Sequence, residues 1–182
     1  VARLIFLGPP GAGKGTQSKV LADSHLIPHI STGEILREAV TGQTPLGMKA
    51  QRYMERGELV PDQLVVDLIQ ERLDKPDTQS GWILDGFPRN VIQAQILDFI
   101  LSKLSHDYDR VINLDVPDET LVARLLSRGR KDDNEEVIRR RLEVYRDQTA
   151  PLISYYESRE KLVTVDGNQS MEAVSSALNN LA

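Results

Sequence analysis

A run of nine residues, Gly8-Pro9-Pro10-Gly11-Ala12-Gly13-Lys14-Gly15-Thr16, carries the first recognisable chemistry of this chain. Glycines 8, 11, 13 and 15 let a backbone turn tightly and approach an anion with no Cβ in the way. Successive N–H groups in such a turn form an anion nest, backed by the N-terminus of a following helix. Lys14 adds a mobile positive charge. The spacing fits a phosphate-binding loop, G-x-x-x-x-G-K-[ST], except that Gly15 takes the hydroxyl position and Thr16 brings the hydroxyl one place late. Arginine is the second resource: the chain has 15 Arg against 7 Lys, and a guanidinium presents paired N–H donors to phosphate. Over 118–128, Leu121, Arg124, Leu125 and Arg128 fall on one helical stripe; Ile138, Arg141, Leu142 and Tyr145 repeat the pattern in the next helix. Arg140 falls on the opposite, solvated side, and Arg139 lies off the stripe. Asp85 ends the apolar run Trp82-Ile83-Leu84. It reads either as an acid steering metal-bound water or as a carboxylate capping a strand-end turn.

These residues need a scaffold, and five short apolar runs supply one: "RLIFLG" (3–8), "LIPHI" (26–30), "GWILDGF" (81–87), "RVINLDV" (110–116) and "KLVTVDG" (161–167). Continuous apolar runs of this length, separated by helical patterns, predict buried parallel strands in a doubly wound α/β sheet. In such folds ligands bind beyond the carboxyl ends of the strands. The clusters that follow the five runs (the glycine loop, "STGE", "DGFPR", "DVPDE" and "DGNQS") are therefore expected along one edge. Residues 31–72 form an excursion from the sheet. Ser31-x-x-Glu34 reads as a capping box, "TGQTP" as a helix break, and Asp62 as the cap of a third helix with Leu64, Val65, Leu68 and Ile69 on its apolar face.

Composition bounds the partners. The 182 residues suit one domain with an inserted subdomain, and 40% of them are hydrophobic, enough for a sizeable core. A net charge of −5 argues against nucleic-acid or membrane-surface binding. With no cysteine there is no disulfide, thiolate nucleophile or Cys-based zinc site, and a reducing compartment fits. No apolar run approaches the roughly 20 residues that span a bilayer, and the strand-like run at 3–8 does not read as a signal peptide, so none is expected. His25, His29 and His106 are scattered and read as surface or strand-flank residues; Trp82 reads as core or rim packing.

The loop variant "GPPGAGKGT" resembles the nucleoside monophosphate kinases and, within them, the adenylate kinases. Four further stretches match that family in order: "STGEILR" (31–37), "GELVPD" (57–62), "LDGFPRN" (84–90) and "RKDDNEEVIRRRL" (130–142). The resemblance covers the whole chain. It implies a P-loop NTPase-type fold: a five-stranded parallel sheet with helices on both faces, with core segments 1–30, 61–126 and 135–182, a helical NMP-binding insertion at 31–60 and a short lid at 127–134. It implies phosphoryl transfer from ATP to AMP, giving two ADP with Mg²⁺ and no covalent protein intermediate, in a cytoplasmic monomer. Such transfer asks mainly for positioning and charge neutralisation.

Carried over residue by residue, the resemblance assigns ATP to Gly11, Ala12, Gly13, Lys14, Gly15, Thr16, Arg124, Arg128 and Gln169. It assigns AMP to Thr32, Arg37, Glu58, Leu59, Val60, Gly86, Phe87, Pro88, Arg89, Gln93, Arg130 and Arg141. Lys14, Arg89, Arg124, Arg128, Arg130 and Arg141 are the expected catalytic cations, and Asp85 the water-mediated metal contact. Gln93 can match the adenine edge, because its amide both donates and accepts. Asp132 and Asp133 read as caps of the helix that follows them, with Glu135 and Glu136 in its first turn. No structural zinc is expected. Two other readings stay open here: a UMP/CMP kinase, which shares most of these motifs, and a nucleotide-timed switch, which would need no second-nucleotide site.

Overall fold

A computed structural model describes residues 2–58, 60–130 and 134–181, so Leu59, Asp132 and Asp133 lie outside the described residues. Five strands form one sheet: β1 (Ala2–Leu7), β2 (His29–Ser31), β3 (Gly81–Asp85), β4 (Arg110–Asp115) and β5 (Leu162–Asp166). The order is β2-β3-β1-β4-β5 and every pair is parallel. All five carboxyl ends therefore share one edge, as the sequence predicts. The register is tight at that edge: Asp85 pairs with Phe6 on one side and Ser31 on the other, and Asp115 with Asp166.

The stretches Leu4–Leu7 of β1 and Trp82–Leu84 of β3 are apolar at every position because both faces of the sheet are covered there. Leu4, Phe6, Ile83, Ile112 and Leu114 enter one core cluster, while Ile5, Leu7, Trp82, Leu84 and Val111 enter the other. Trp82 is fully buried, which settles it as core. The second strand starts later than expected. Leu26 has φ 55° and is 88% exposed. It takes the left-handed turn after helix α1 (Lys14–Ser24) instead of pairing, and sheet bonding begins with Ile83 N–H donating to the Pro28 carbonyl.

Helices α2 (Thr32–Thr41), α3 (Pro45–Glu55) and α4 (Asp62–Leu73) form the excursion. Ser31 Oγ accepts the Glu34 N–H at 3.2 Å, half of the expected capping box; the Glu34 carboxylate instead approaches His29 Nδ1 at 4.0 Å. Thr44 caps α3, with Pro45 at its first position. Asp62 is not the cap of α4. Pro61 holds that position, and Asp62 is the first helical residue, with its carboxylate turned to another partner. Leu64, Val65, Leu68 and Ile69 are buried, as their spacing predicts.

Helices α5 (Val91–Leu104), α6 (Asp118–Ser127), α7 (Glu135–Ser158) and α8 (Met171–Asn179) complete the fold. Asn134 caps α7 through the Val137 N–H at 2.9 Å, so the cap expected of Asp132 and Asp133 belongs to their neighbour, while Glu135 and Glu136 fill the first turn. Helix α7 links the two core clusters. Ile138 and Leu142 pack in one, Leu152 and Tyr156 in the other. Its middle, Tyr145–Thr149, shares a cleft with the glycine loop.

Candidate active site

The loop from Gly8 to Lys14 joins β1 to α1. Gly11 and Gly13 both have φ 84°, a region that L side chains rarely adopt. Gly8 and Gly15 have no such requirement, so only half of the glycines shape the turn. Gly15 sits beside the strand-end acid: a Cβ there would stand 4.0 Å from Asp85 Oδ2. Ala12 is buried, and Thr16 is exposed on the first turn of α1.

Lys14 Nζ is paired with Asp85 Oδ1. Asp85 Oδ2 receives His29 Nε2 at 3.1 Å and Ser18 Oγ at 3.3 Å. Asp85 is 5% exposed. Burial opposes its ionisation, but the hydrogen bond from His29 and the charge and hydrogen bond of Lys14 outweigh it and hold its carboxyl at about 2. His29 is the first residue of β2, partly buried, with its ring facing this interior network and not the surface. His106 is buried.

Two clefts open beside this network. The first, about 410 Å³, is lined by Gly8, Lys14, Gly86, Pro88, Arg89 and Arg141, with Tyr145, Gln148 and Thr149 from the middle of α7. The second, about 960 Å³, is lined by Thr32, Glu58, Val60, Gly86, Phe87, Arg89 and Gln93, again with Gln148. Gly86, Arg89 and Gln148 line both, so the clefts meet at the end of β3. Thr32 Oγ1 reaches the Gly86 carbonyl at 3.5 Å. Arg37 lies across Gly33, where an added Cβ would meet its guanidinium at 3.3 Å. Gln93 is 7% exposed: its Oε1 accepts the Arg89 N–H at 2.8 Å and its Nε2 donates to Asp62 Oδ1 at 2.7 Å.

The remaining candidate cations lie outside the lining of the first cleft. Arg124 donates to the carbonyls of Gly11 and Gly167, both at 3.2 Å, and so ties α6 to the glycine loop and to the loop after β5. Gln169, in that same loop, folds back on the Asp166 carbonyl at 3.0 Å. Arg128 ends α6 and Arg130 follows Gly129; both are exposed and neither lines the two clefts. Arg139 pairs with Glu135 and Glu119 on the surface. The arrangement offers what phosphate transfer requires: a main-chain anion nest, a lysine, converging guanidiniums and one buried carboxylate.

Comparison with known proteins agrees with this geometry. The family model for adenylate kinase matches residues 6–161. The chain is 64% identical to adenylate kinase 1 of Nostoc sp., over 98% of this chain and 97% of that protein.

The chain belongs to the adenylate kinase family.

It is also 54% identical to adenylate kinase of Trichodesmium erythraeum, over 98% and 96% of the two chains. With adenylate kinase of Xanthomonas campestris it shares 51% identity over 94% of each. The fold is the α/β, P-loop NTPase type that the sequence predicts. Three groups near the adenylate kinase motifs escaped sequence reasoning: Ser18, His29 and the Tyr145–Thr149 segment. Ser18 and His29 lie 67 and 56 residues from Asp85, and no local spacing marks them. The α7 segment carried a signal, since Thr149 continues the stripe of Ile138, Leu142 and Tyr145.

Proposed function

We infer that this chain catalyses ATP + AMP ⇌ 2 ADP by direct in-line transfer. Membership of the adenylate kinase family carries the reaction, and one observation supports its location: two clefts that share Gly86, Arg89 and Gln148. On this reading the donor phosphates lie on the Gly11–Thr16 loop with Lys14, Arg124, Arg128 and Gln169. The acceptor occupies the larger cleft of the 31–60 insertion, its base against Thr32, Val60 and Gln93, its phosphate on Arg37 and Arg89. Arg130 and Arg141 close over the junction from the short lid at 127–134 and from α7. The acceptor phosphate is the nucleophile, so no protein side chain need form a bond.

Magnesium enters with the donor nucleotide and would neutralise phosphate charge. The fitting residue is Asp85, a hard oxygen donor kept ionised at the loop and suited to holding a metal-bound water. Among the described residues no group of three or more His, Cys, Asp or Glu could hold a metal by itself, which favours an ion carried mainly by phosphate oxygens. Absence of cysteine fits a reducing compartment, and net charge −5 disfavours nucleic-acid and membrane-surface partners; the family resemblance carries the expectation of a cytoplasmic monomer, and no described helix is long and apolar enough to cross a membrane.

A coupled assay of ADP formation from ATP, with and without AMP, tests the reading. Turnover should require AMP and Mg²⁺. AMP-independent hydrolysis would support a nucleotide-timed switch, and comparable use of CMP a UMP/CMP kinase.

A further inference from the structure

We propose that Asp62 is a specificity-determining positioning residue: it holds the Gln93 amide in one orientation, so that the acceptor cleft distinguishes a 6-amino purine from a 6-oxo purine. The proposal rests on the reading of Gln93 as the base-contacting residue.

A primary amide is nearly symmetric in shape but not in chemistry. Its oxygen accepts two hydrogen bonds and its nitrogen donates two. Rotation by half a turn exchanges them at little steric cost. A 6-amino purine presents an acceptor at N1 beside an exocyclic donor. A 6-oxo purine presents a donor at N1 beside an exocyclic acceptor. A glutamine free to rotate could pair with either edge and would discriminate poorly.

Here the amide is clamped at both ends. The Arg89 main-chain N–H can only donate, and it holds Oε1 at 2.8 Å; the Asp62 carboxylate, which in its ionised form can only accept, holds Nε2 at 2.7 Å. A rotated amide would set N–H against N–H at one end and oxygen against oxygen at the other. The backbone of Gln93 is fixed as well, because its N–H is the one that Asn90 Oδ1 caps at 2.9 Å. Asp62 and Gln93 both line the larger cleft. Each end of the amide spends one of its two hydrogen-bonding positions on the clamp, leaving one N–H and one lone pair for a ligand. That residual pair complements an acceptor beside a donor and meets a 6-oxo purine with two mismatches, which buried polar sites reject strongly. The arrangement also explains why Asp62 is not the cap of α4: its side chain reaches across to α5.

The test compares kcat/KM for AMP and for inosine monophosphate, with saturating ATP and magnesium, in the whole protein. The variants are Asp62→Asn, Gln93→Leu and the double variant. An amide at position 62 can donate as well as accept, so a rotated Gln93 then meets a mismatch only at Arg89. The preference for AMP over inosine monophosphate should fall about tenfold in Asp62→Asn, the equivalent of one hydrogen bond. The change should appear in KM for the acceptor nucleotide and not in KM for ATP. Adding Asp62→Asn to Gln93→Leu should leave the ratio where Gln93→Leu alone puts it. The ratio of two substrates on one sample is insensitive to how much of it is folded, so any loss of stability at α4 does not mimic the effect. A ratio lowered by Gln93→Leu but untouched by Asp62→Asn would overturn the clamp while sparing the reading of Gln93. A ratio untouched by Gln93→Leu would overturn both.

Discussion

Lys14 and Asp85 form an ion pair across the mouth of the nucleotide loop, the lysine from the start of α1 and the acid from the end of β3. In the proposed reaction the same lysine contacts phosphate. On that reading nucleotide arrival would exchange one anionic partner of Lys14 for another and leave Asp85 to His29 and Ser18, where it would be suited to hold a metal-bound water. Lys14→Met should lower kcat by about 10²–10³, the usual effect of losing one electrostatic contact to the transition state. It should also cost some stability, roughly 1–3 kcal/mol, because a buried carboxylate loses a partner. Adding Asp85→Asn should recover that stability without recovering activity. Steady-state assays and thermal melts of the single and double variants separate the two effects. Retained kcat with a collapsed melting temperature would make Lys14 a structural residue.

The same carboxylate sets an acid limit. In an unfolded chain Asp85 titrates near the ordinary aspartate value of about 4; in the fold it is held at about 2. On acidification the unfolded state takes up its proton first. Its contribution, roughly 2 kcal/mol, is thus complete above pH ~4 and is lost as pH falls through about 2. Wild type should lose more stability than Asp85→Asn between pH 5 and 2, seen as converging chemical-denaturation midpoints. Parallel pH profiles would show that the buried pair contributes no acid sensitivity.

Much of this architecture was legible because a parallel sheet covered on both faces leaves an unambiguous mark. Stretches such as Leu4–Leu7 and Trp82–Leu84 are apolar at every position, and parallel pairing alone then brings five loops to one edge. Pattern failed where a turn looks like a strand: Leu26 is apolar yet exposed in a left-handed turn. The site motifs that the sequence offered were local ones. What joins them is not local. His29 reaches Asp85 across 56 residues and Asp62 reaches Gln93 across 31, and a side chain's choice between capping its own helix and crossing to another is made by packing. The segment Tyr145–Thr149 enters the site only because α7 runs from one core cluster to the other.

The glycines of the loop should separate by geometry. Gly11→Ala combines φ 84° with a Cβ 3.1 Å from Leu125 Cγ, while Gly13→Ala meets φ 84° with open space around it. Both should destabilise, by roughly 1–2 kcal/mol for the backbone conformation alone, and Gly11→Ala should be the worse. Gly15→Ala should do the opposite. It lies in the first turn of α1, where alanine is favoured over glycine by up to about 1 kcal/mol, but its methyl would stand beside Asp85 where phosphate approaches. Its melting temperature should rise while kcat/KM for ATP falls. A Gly15→Ala protein with full activity would place the phosphates elsewhere on the loop.

On the proposed reading Gln93 carries the choice of base, and its surroundings set the expected size of the effect. The residue is almost completely buried and both ends of its amide are engaged. It is therefore a positioned group and not a solvated helix residue. Gln93→Leu would leave the Arg89 N–H and the Asp62 carboxylate without this partner, and would face the adenine edge with methyl groups. An adenine edge left unpaired in a partly dry pocket costs roughly 1–3 kcal/mol, so KM for AMP should rise about ten- to a hundredfold. KM for ATP should hold, because the glycine loop lies outside the cleft that Gln93 lines. Arg89 sits in both clefts, and a disturbed Arg89 N–H would also lower kcat. A loss confined to KM for AMP thus assigns Gln93 to the base alone, whereas a matching loss in kcat assigns it also to the placement of Arg89. Thr32, bonded to the Gly86 carbonyl, lines the same cleft, and on the proposed reading a pyrimidine would fill it poorly. The wild-type protein should therefore prefer AMP over CMP and UMP by well over tenfold in kcat/KM. Equal values for AMP and CMP would remove adenine recognition from this cleft.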